Sequence, residues 1–373
     1  MGKVNPMKFT LSREQFLTPI QSVSGAIERR HNLPILSNIL IEVKHQHLFL
    51  TGTDIEVELI GQVQLDAPCI EGRITVPAKK LFDIVRSLPE HAHITFEQQE
   101  NKVRLKSGRS RFSLTTLSAD GYPNLEAWQA DVEMTLPTST CKALIDATQF
   151  AMANQDSRHY LNGLLLETEG QEIRAIATDG HRLAFTCESI EQNLSKKQLI
   201  IPRKSITELV RLIDQQDESI QISFCDTYFR ATTHNTTLTC KLIEGRFPDY
   251  NRVLPKGGDK IVTVEREAMR QALMRTSILS NEKFRGVRLN LEGSTLNISA
   301  NNPEQEEAEE IVDINYPQAE ALEIGFNVGY LLDAINTLPS KEVKLTFIDN
   351  QSSVLVEDTH CNKAMYVVMP MRL

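Results

Sequence analysis

"VPAKKLFDIVRSLP" (76–89), "IPRKSITELVRLID" (201–214) and "FNVGYLLDAINTLP" (326–339) are three versions of one segment. Their first residues are spaced by 201 − 76 = 125 and 326 − 201 = 125 positions. Apolar side chains keep the register: Leu81, Ile206 and Leu331; Val85, Val210 and Ile335; Leu88, Ile213 and Leu338. Steps of four and then three residues mark one face of a short amphipathic helix that is entered from a strand. A repeat this long exceeds the roughly 20–50 residues of a solenoid unit, so each copy is a domain.

The repeat extends in both directions. Upstream, "ILIEVKHQHLFLTGTDIEVEL" (39–59), "LLLETEGQEIRAIATDGHRLAF" (164–185) and "VRLNLEGSTLNISANNPEQEEAEEI" (287–311) each read as strand, turn, strand, loop, strand. Downstream, Leu117, Leu242 and Val367 keep the 125 spacing, as do Pro123 and Pro248. A helical pattern opens each copy, over 12–27, 138–153 and 265–280. Alternating patterns joined by turn residues predict antiparallel meanders, whose buried face two helices can cover. The expected fold is α+β: three tandem similar domains, over 7–128, 135–254 and 255–373.

Composition sets limits. The 373 residues are 41% hydrophobic and 24% charged, as in globular proteins, with no apolar run long enough to span a bilayer. "MGKVNP" lacks the apolar region of a secretory signal. Six scattered cysteines form no CxxC pair, which excludes the usual zinc spacings and suits a reducing cytoplasm. His45/His47 and His91/His93 could each share a strand face, but no third ligand accompanies them, so no metal or other cofactor is expected. The net charge of −9 is partly local: without the five glutamates of "NNPEQEEAEEI" (301–311) it is −9 + 5 = −4. An acidic total leaves room for a basic face.

"ATDGHRLAF" (177–185) places an acid, an imidazole and a guanidinium side by side. The repeat decides how to read it. Thr53–Asp54 matches Thr178–Asp179, whereas His181 and Arg182 belong to the middle copy alone. The shared Thr-Asp is a strand-end turn, because Asp there bonds its own backbone. No nucleophile elbow, phosphate loop or HExxH accompanies it, which disfavours a hydrolase centred on Asp179 and His181.

"TDGHRL", "GRFPDY", "LSNEKFRGVRL", "NNPEQEEAEE" and the terminal "YVVMPMRL" together resemble the bacterial DNA polymerase III β subunit family, the sliding clamps, from Met7 to Leu373. The resemblance implies the DNA clamp fold: antiparallel sheets outside, helices inside, and a head-to-tail dimeric ring around duplex DNA. It implies no catalysis and no cofactor. The implied role is to tether the replicative polymerase and other replication and repair proteins to DNA, in the cytoplasm and away from any membrane. Implied partners are a second copy, sequence-independent duplex DNA, the DNA polymerase III alpha subunit, the clamp loader and other proteins carrying a clamp-binding motif. A three-domain interaction scaffold that never encircles DNA is the alternative reading.

The resemblance also assigns residues. Linear peptides would dock at Leu161, Thr178, Gly180, His181, Arg182 and Leu183, with Pro248, Arg252 and Val253. Asn327, Tyr330 and Ser353 lie nearby, and Val367, Met369, Pro370, Met371, Arg372 and Leu373 form one wall. A Met- and Leu-lined groove can repack around different apolar anchors. DNA would pass Arg30, Lys79, Gln155, Arg158 and Tyr160. Arg203 and Lys204 join them, because the basic pair at 79–80 recurs at 203–204. In the third copy the helix "YLLDAINTLP" has no Lys or Arg, so Arg270 or Arg275 must supply the charge. At the dimer contact, Phe112 and Leu114 would meet Ile278 and Leu279. Lys80 and Arg109 would face Glu304, Glu307 and Glu310, setting register and polarity.

Overall fold

The computed structural model describes residues 6–28, 33–213, 218–317 and 320–372. Six α-helices are found among them: α1 Arg13–Val23, α2 Ala78–Ser87, α3 Thr138–Asp146, α4 Arg203–Ile213, α5 Arg266–Ser277 and α6 Val328–Thr337. The starts of α2, α4 and α6 repeat the sequence period, 203 − 78 = 125 and 328 − 203 = 125. α1 and α3 also start 138 − 13 = 125 residues apart, while α5 starts 266 − 138 = 128 after α3. Of the nine aligned apolar positions only Val210 is not fully buried. The opening helices are shorter than their patterns. Each of the first two gives way to a single 3-10 turn, Ser24–Ala26 or Gln149–Ala151. After α3 the Thr148 hydroxyl donates back to the Leu144 carbonyl at 2.7 Å, a local bond that competes with helix propagation.

The chain divides into two compact units, and the middle repeat is shared between them. One unit comprises Met1–Cys141 with Lys204–Leu242. Its four-stranded sheet runs Lys8–Ser12, His93–Gln99, Lys102–Ser107, Ser110–Thr115, which leaves Ser110–Thr115 at an edge. Phe9 stacks on Phe96 with centroids 4.8 Å apart, and Phe16 from α1 meets Phe9 edge-on at 5.8 Å. Ser12 starts α1 with a capping box, exchanging bonds with Gln15. An eight-stranded sheet in the same unit joins the first repeat to the second. Its order is Gly72–Pro77, Asn38–Lys44, His47–Thr53, Val57–Gln64, Thr236–Lys241, Tyr228–Thr232, Ser219–Phe224, Val132–Pro137. The seam pairs Gly61 through Val57 with Thr236 through Cys240. α1 packs over this sheet beside α2. Glycine is needed at Gly61, where a Cβ would sit 2.9 Å from the Pro19 side chain.

The other unit comprises Lys142–Arg203 with Ile243–Leu373. A ten-stranded sheet joins the second repeat to the third, in the order Gly163–Thr178, Arg182–Pro202, Ala364–Val368, Val354–Asp358, Glu342–Phe347, Lys260–Glu265, Glu307–Asn315, Thr295–Asn301, Gly286–Glu292, Leu322–Asn327. Here the seam pairs Arg182–Thr186 with Val368–Ala364. The long ribbon at one edge is braced by buried Glu167, which accepts bonds from Arg174 at 2.7 Å and the Tyr250 hydroxyl at 2.8 Å. Glu307–Asn315 pairs along its length with Thr295–Asn301 but meets Lys260–Glu265 only at Ile314 and Asn315. Among the described residues, the outer edge of Glu307–Asp313 therefore has no neighbouring strand. α5 packs on this part of the sheet and against α6.

Candidate partner groove and flanking charged surfaces

The turn between Thr178 and Arg182 is built by its own side chains. The Thr178 hydroxyl donates to the Arg182 carbonyl at 2.6 Å and accepts the Gly180 N–H at 3.1 Å. Asp179 Oδ1 accepts the N–H groups of His181 at 2.9 Å and Arg182 at 3.1 Å. Thr53 and Asp54 make the matching bonds in the first repeat, to Val57, Ile55 and Glu56. Gly180 has φ of +88° and its counterpart Ile55 +83°, so the left-handed position belongs to the repeated turn. The Thr-Asp pair is a turn former, as its recurrence implies.

Arg182 ties this turn to other elements. Its Nε donates to Asp179 at 3.1 Å, one terminal nitrogen to Asp333 on α6, and the other to the Phe150 carbonyl at 2.8 Å. The guanidinium lies 4.6 Å from the Tyr330 ring centroid and 5.3 Å from that of Phe150. The side chain is only 13% exposed. Exposed His181 stacks parallel to Tyr330 at 6.4 Å. Asn327 caps α6 by accepting the N–H groups of Gly329 and Tyr330, and its amide donates to the Phe284 carbonyl.

Beside this framework lies a cavity of about 610 Å³, lined by Asn251–Lys256, Ile348, Gln351–Ser353, Met369 and Pro370. Arg252, Val253, Ser353, Met369 and Pro370 thus line one cavity. Leu254 connects that lining to the core cluster containing Leu183, Phe247, Tyr250 and Val367. Pro248 is half-buried; Leu161, Leu183 and Val367 are buried, and underlie the surface. Val367 is a core residue. The tail leaves its strand after Val368 yet stays bonded: the Met369 N–H donates to the His181 carbonyl and the Met371 N–H to the Gly325 carbonyl, at 2.9 and 2.8 Å. Arg372 is exposed, and Leu373 lies outside the described residues. Sequence reasoning missed Leu254, Pro255 and Ile348 in the lining, and Phe284, which is 55% exposed above the Asn327 anchor. The available signal was apolar residues set in polar loops.

The basic candidates divide. Lys79 and Lys80 are exposed on the first turn of α2. Lys204, the counterpart of Lys79, is held by Asp54 and sits 3.5 Å from Glu28. Arg203 donates to the Met152 carbonyl at 2.8 Å. Arg158 is bidentate to Asp156, and its guanidinium holds the Asp156 carboxyl down at about 2. Gln155 is exposed with φ of +57°, and Tyr160 packs against the core cluster. Arg30 lies outside the described residues. In the third repeat, Arg270 is bidentate to Glu267 and Arg275 to Glu310.

Of the expected contact residues, Phe112 is half-buried and Leu114 buried, both on the edge strand Ser110–Thr115, with Arg109 exposed just before it. Ile278 is 75% exposed after α5, and Leu279 is half-buried. Glu304 and Glu307 are exposed. Ile311, 65% exposed, joins them on the open edge. Among the described residues no cluster of His, Cys, Asp and Glu could hold a metal ion, and no helix is long and apolar enough to cross a membrane.

Three family models match in series: the N-terminal, central and C-terminal domains of DNA polymerase III beta subunit, at residues 7–126, 135–249 and 251–372. The chain is 54% identical to the beta sliding clamp of Proteus mirabilis and 52% identical to that of Escherichia coli K12, in each case over 98% of this chain and all of the relative. The crystal structure of a DnaN sliding clamp from Pseudomonas aeruginosa bound to griselimycin superposes with a TM-score of 0.95 at 50% identity, covering 99% of this chain and all of that one. A DNA polymerase sliding clamp from Caulobacter crescentus gives 0.93 at 34% identity, covering 98% and 100%.

Proposed function

The chain belongs to the DNA polymerase III beta subunit family, the sliding clamps, and from that premise we propose that two copies close head to tail into a ring around duplex DNA. Sliding clamps are non-catalytic processivity subunits: they keep a polymerase on its template and carry out no reaction.

The observation that carries the ring is a pair of open strand edges with complementary surfaces. Ser110–Thr115 ends its sheet, with Phe112 and Leu114 on it and Arg109 and Arg111 exposed. Glu307–Asp313 is open on its outer side, carries Glu307, Glu309 and Ile311, and belongs to the same unit as exposed Ile278. An unpaired edge is a template for another strand, and two different edges make a heterologous contact that can close. Basic residues on one edge and acidic ones on the other favour this pairing over like with like. Glu310 takes part less directly, since Arg275 already holds it.

Sedimentation tests the ring. The wild type should run near twice 42.1 kDa at micromolar concentration. Replacing Ile278→Ala and Leu279→Ala together should leave a folded monomer, because buried apolar anchors carry most of a small interface's energy. A monomeric wild type would refute the ring.

Within this reading the domains span 7–128, 135–254 and 255–373. The cavity by Val253 and Met369 receives apolar peptide anchors from the DNA polymerase III alpha subunit, the clamp loader and other proteins with clamp-binding motifs. DNA is contacted without regard to sequence, through Lys79, Gln155 and whichever arginines can leave their carboxylate partners. The compartment is the cytoplasm.

A further inference from the structure

A second cavity, of about 290 Å³, opens on the opposite face of the strand that leads into the tail. Successive side chains of a strand point to opposite faces. Met365 and Val367 pack with the cluster beneath the groove, whereas Ala364 and Tyr366 line this other cavity. We propose that it is a binding site for a small, flat organic cation of the amidinium or aryl-ammonium class. The proposal goes beyond the clamp function and is independent of the peptide groove.

Three observations carry it. The walls are apolar, from Ala143 and Ala147 at the end of α3, Leu338 and Pro339 after α6, and the Tyr366 ring. The polar lining is acidic in balance: Asp146, Glu188 and Asp358 against Lys363 alone, and Lys363 is already bound to Glu188 at 2.6 Å. Asp146 keeps exposed carboxylate surface, with Gln149 on one oxygen and Lys142 3.8 Å from the other. Asp358 uses one oxygen for the His360 and Cys361 N–H groups. Finally, Tyr366 is 1% exposed and lines the cavity, yet its hydroxyl has no hydrogen-bond partner among the described residues. Burial alone pushes its phenol up. A tyrosine hydroxyl that keeps its own accessible surface can both donate to and accept from a ligand seated beside it.

An apolar slot with one unpartnered hydroxyl and surplus carboxylate suits a planar group whose charged end donates several hydrogen bonds. Benzamidine is a suitable probe and benzamide its uncharged isostere. Each would be titrated into the wild-type protein and into Tyr366→Phe and Asp146→Asn, with binding followed by ligand-observed NMR and folding by circular dichroism. Tyr366→Phe keeps the ring and removes only the hydroxyl; Asp146→Asn alters an exposed side chain, so neither threatens the core. Benzamidine should saturate in the millimolar range, with benzamide at least about fivefold weaker. Each substitution should weaken benzamidine about threefold or more. No saturation by about 20 mM, equal binding of the two probes, or unchanged binding in both variants would overturn the site.

Discussion

Arg182 illustrates what one side chain settles. Its three guanidinium nitrogens bond three separate elements, and its flat face rests on Tyr330. It is therefore a positioning residue that holds the His181 turn against α6. Asp333→Asn should free that end, lowering affinity for a clamp-binding peptide about fivefold to tenfold while sedimentation stays unchanged; Asp333→Glu should recover most of the loss. A fluorescent peptide titrated into both variants measures this, and equal affinity in Asp333→Asn would show the pin to be idle. Sequence pointed to Arg182 as part of the groove but could not supply its partner, which lies 151 residues later. Lys204 was obscured in the same way, because Asp54 lies 150 residues earlier and only the folded sheet brings them together. Glu58 supports a pH prediction. Burial raises its carboxyl pKa, outweighing its bond from the Leu125 backbone and the charge of Arg230. The folded state thus holds a proton that the unfolded state releases at lower pH. Stability from this group is complete below the ordinary carboxylate range and is lost as pH rises through the elevated value. Glu58→Gln should accordingly raise the melting temperature at pH 7.5 and leave it nearly unchanged near pH 4. An equal shift at both pH values would exclude this linkage.

Among elements, the final strand and the tail have separable roles. Ala364–Val368 pairs on both sides, with Arg182–Thr186 and with Val354–Glu357, so it should survive loss of the tail. Deleting Met369–Leu373 removes the bonds to His181 and Gly325 and one wall of the groove. The truncated protein should remain a dimer while peptide affinity falls by about 2–3 kcal/mol, roughly thirty-fold to more than a hundredfold. Titration with sedimentation alongside separates the outcomes: full affinity would refute the groove, and a monomer would make the tail structural. The helices were the most legible elements, because their buried faces are local patterns that return every 125 residues. Their ends were less so, since a hydroxyl such as that of Thr148 can stop a helix whose apolar pattern continues. Which strands meet across repeats was not legible at all. Val57–Gln64 and Thr236–Lys241 alternate like any half-buried strands, and nothing in that alternation specifies a partner from another repeat.

At the scale of the whole molecule, the clamp reading predicts retention by topology rather than by affinity. The chain carries a net charge of −9, and several of its candidate DNA-facing cations are already held by carboxylates, so direct DNA binding should be weak and should fall with salt. Rings assembled on nicked circular DNA by a clamp loader should persist through a salt wash and be lost once the circle is cut. Equal retention on both forms would argue against encirclement. The repeat seams also bear on where such a ring yields. Each seam inside the chain is a run of five paired residues with buried side chains, Leu59 beside Leu238 in one and Leu183 beside Val367 in the other. The edges offered to a second copy carry Arg109, Glu307 and half-exposed apolar groups, with no chain connection to hold them. Under load a closed loop parts at its weakest joint, as a zip opens at its pull and not through its cloth. In the proposed ring a clamp loader would therefore need to supply only the work of peeling one strand from one edge, and each protomer would keep its sheets intact and ready to latch.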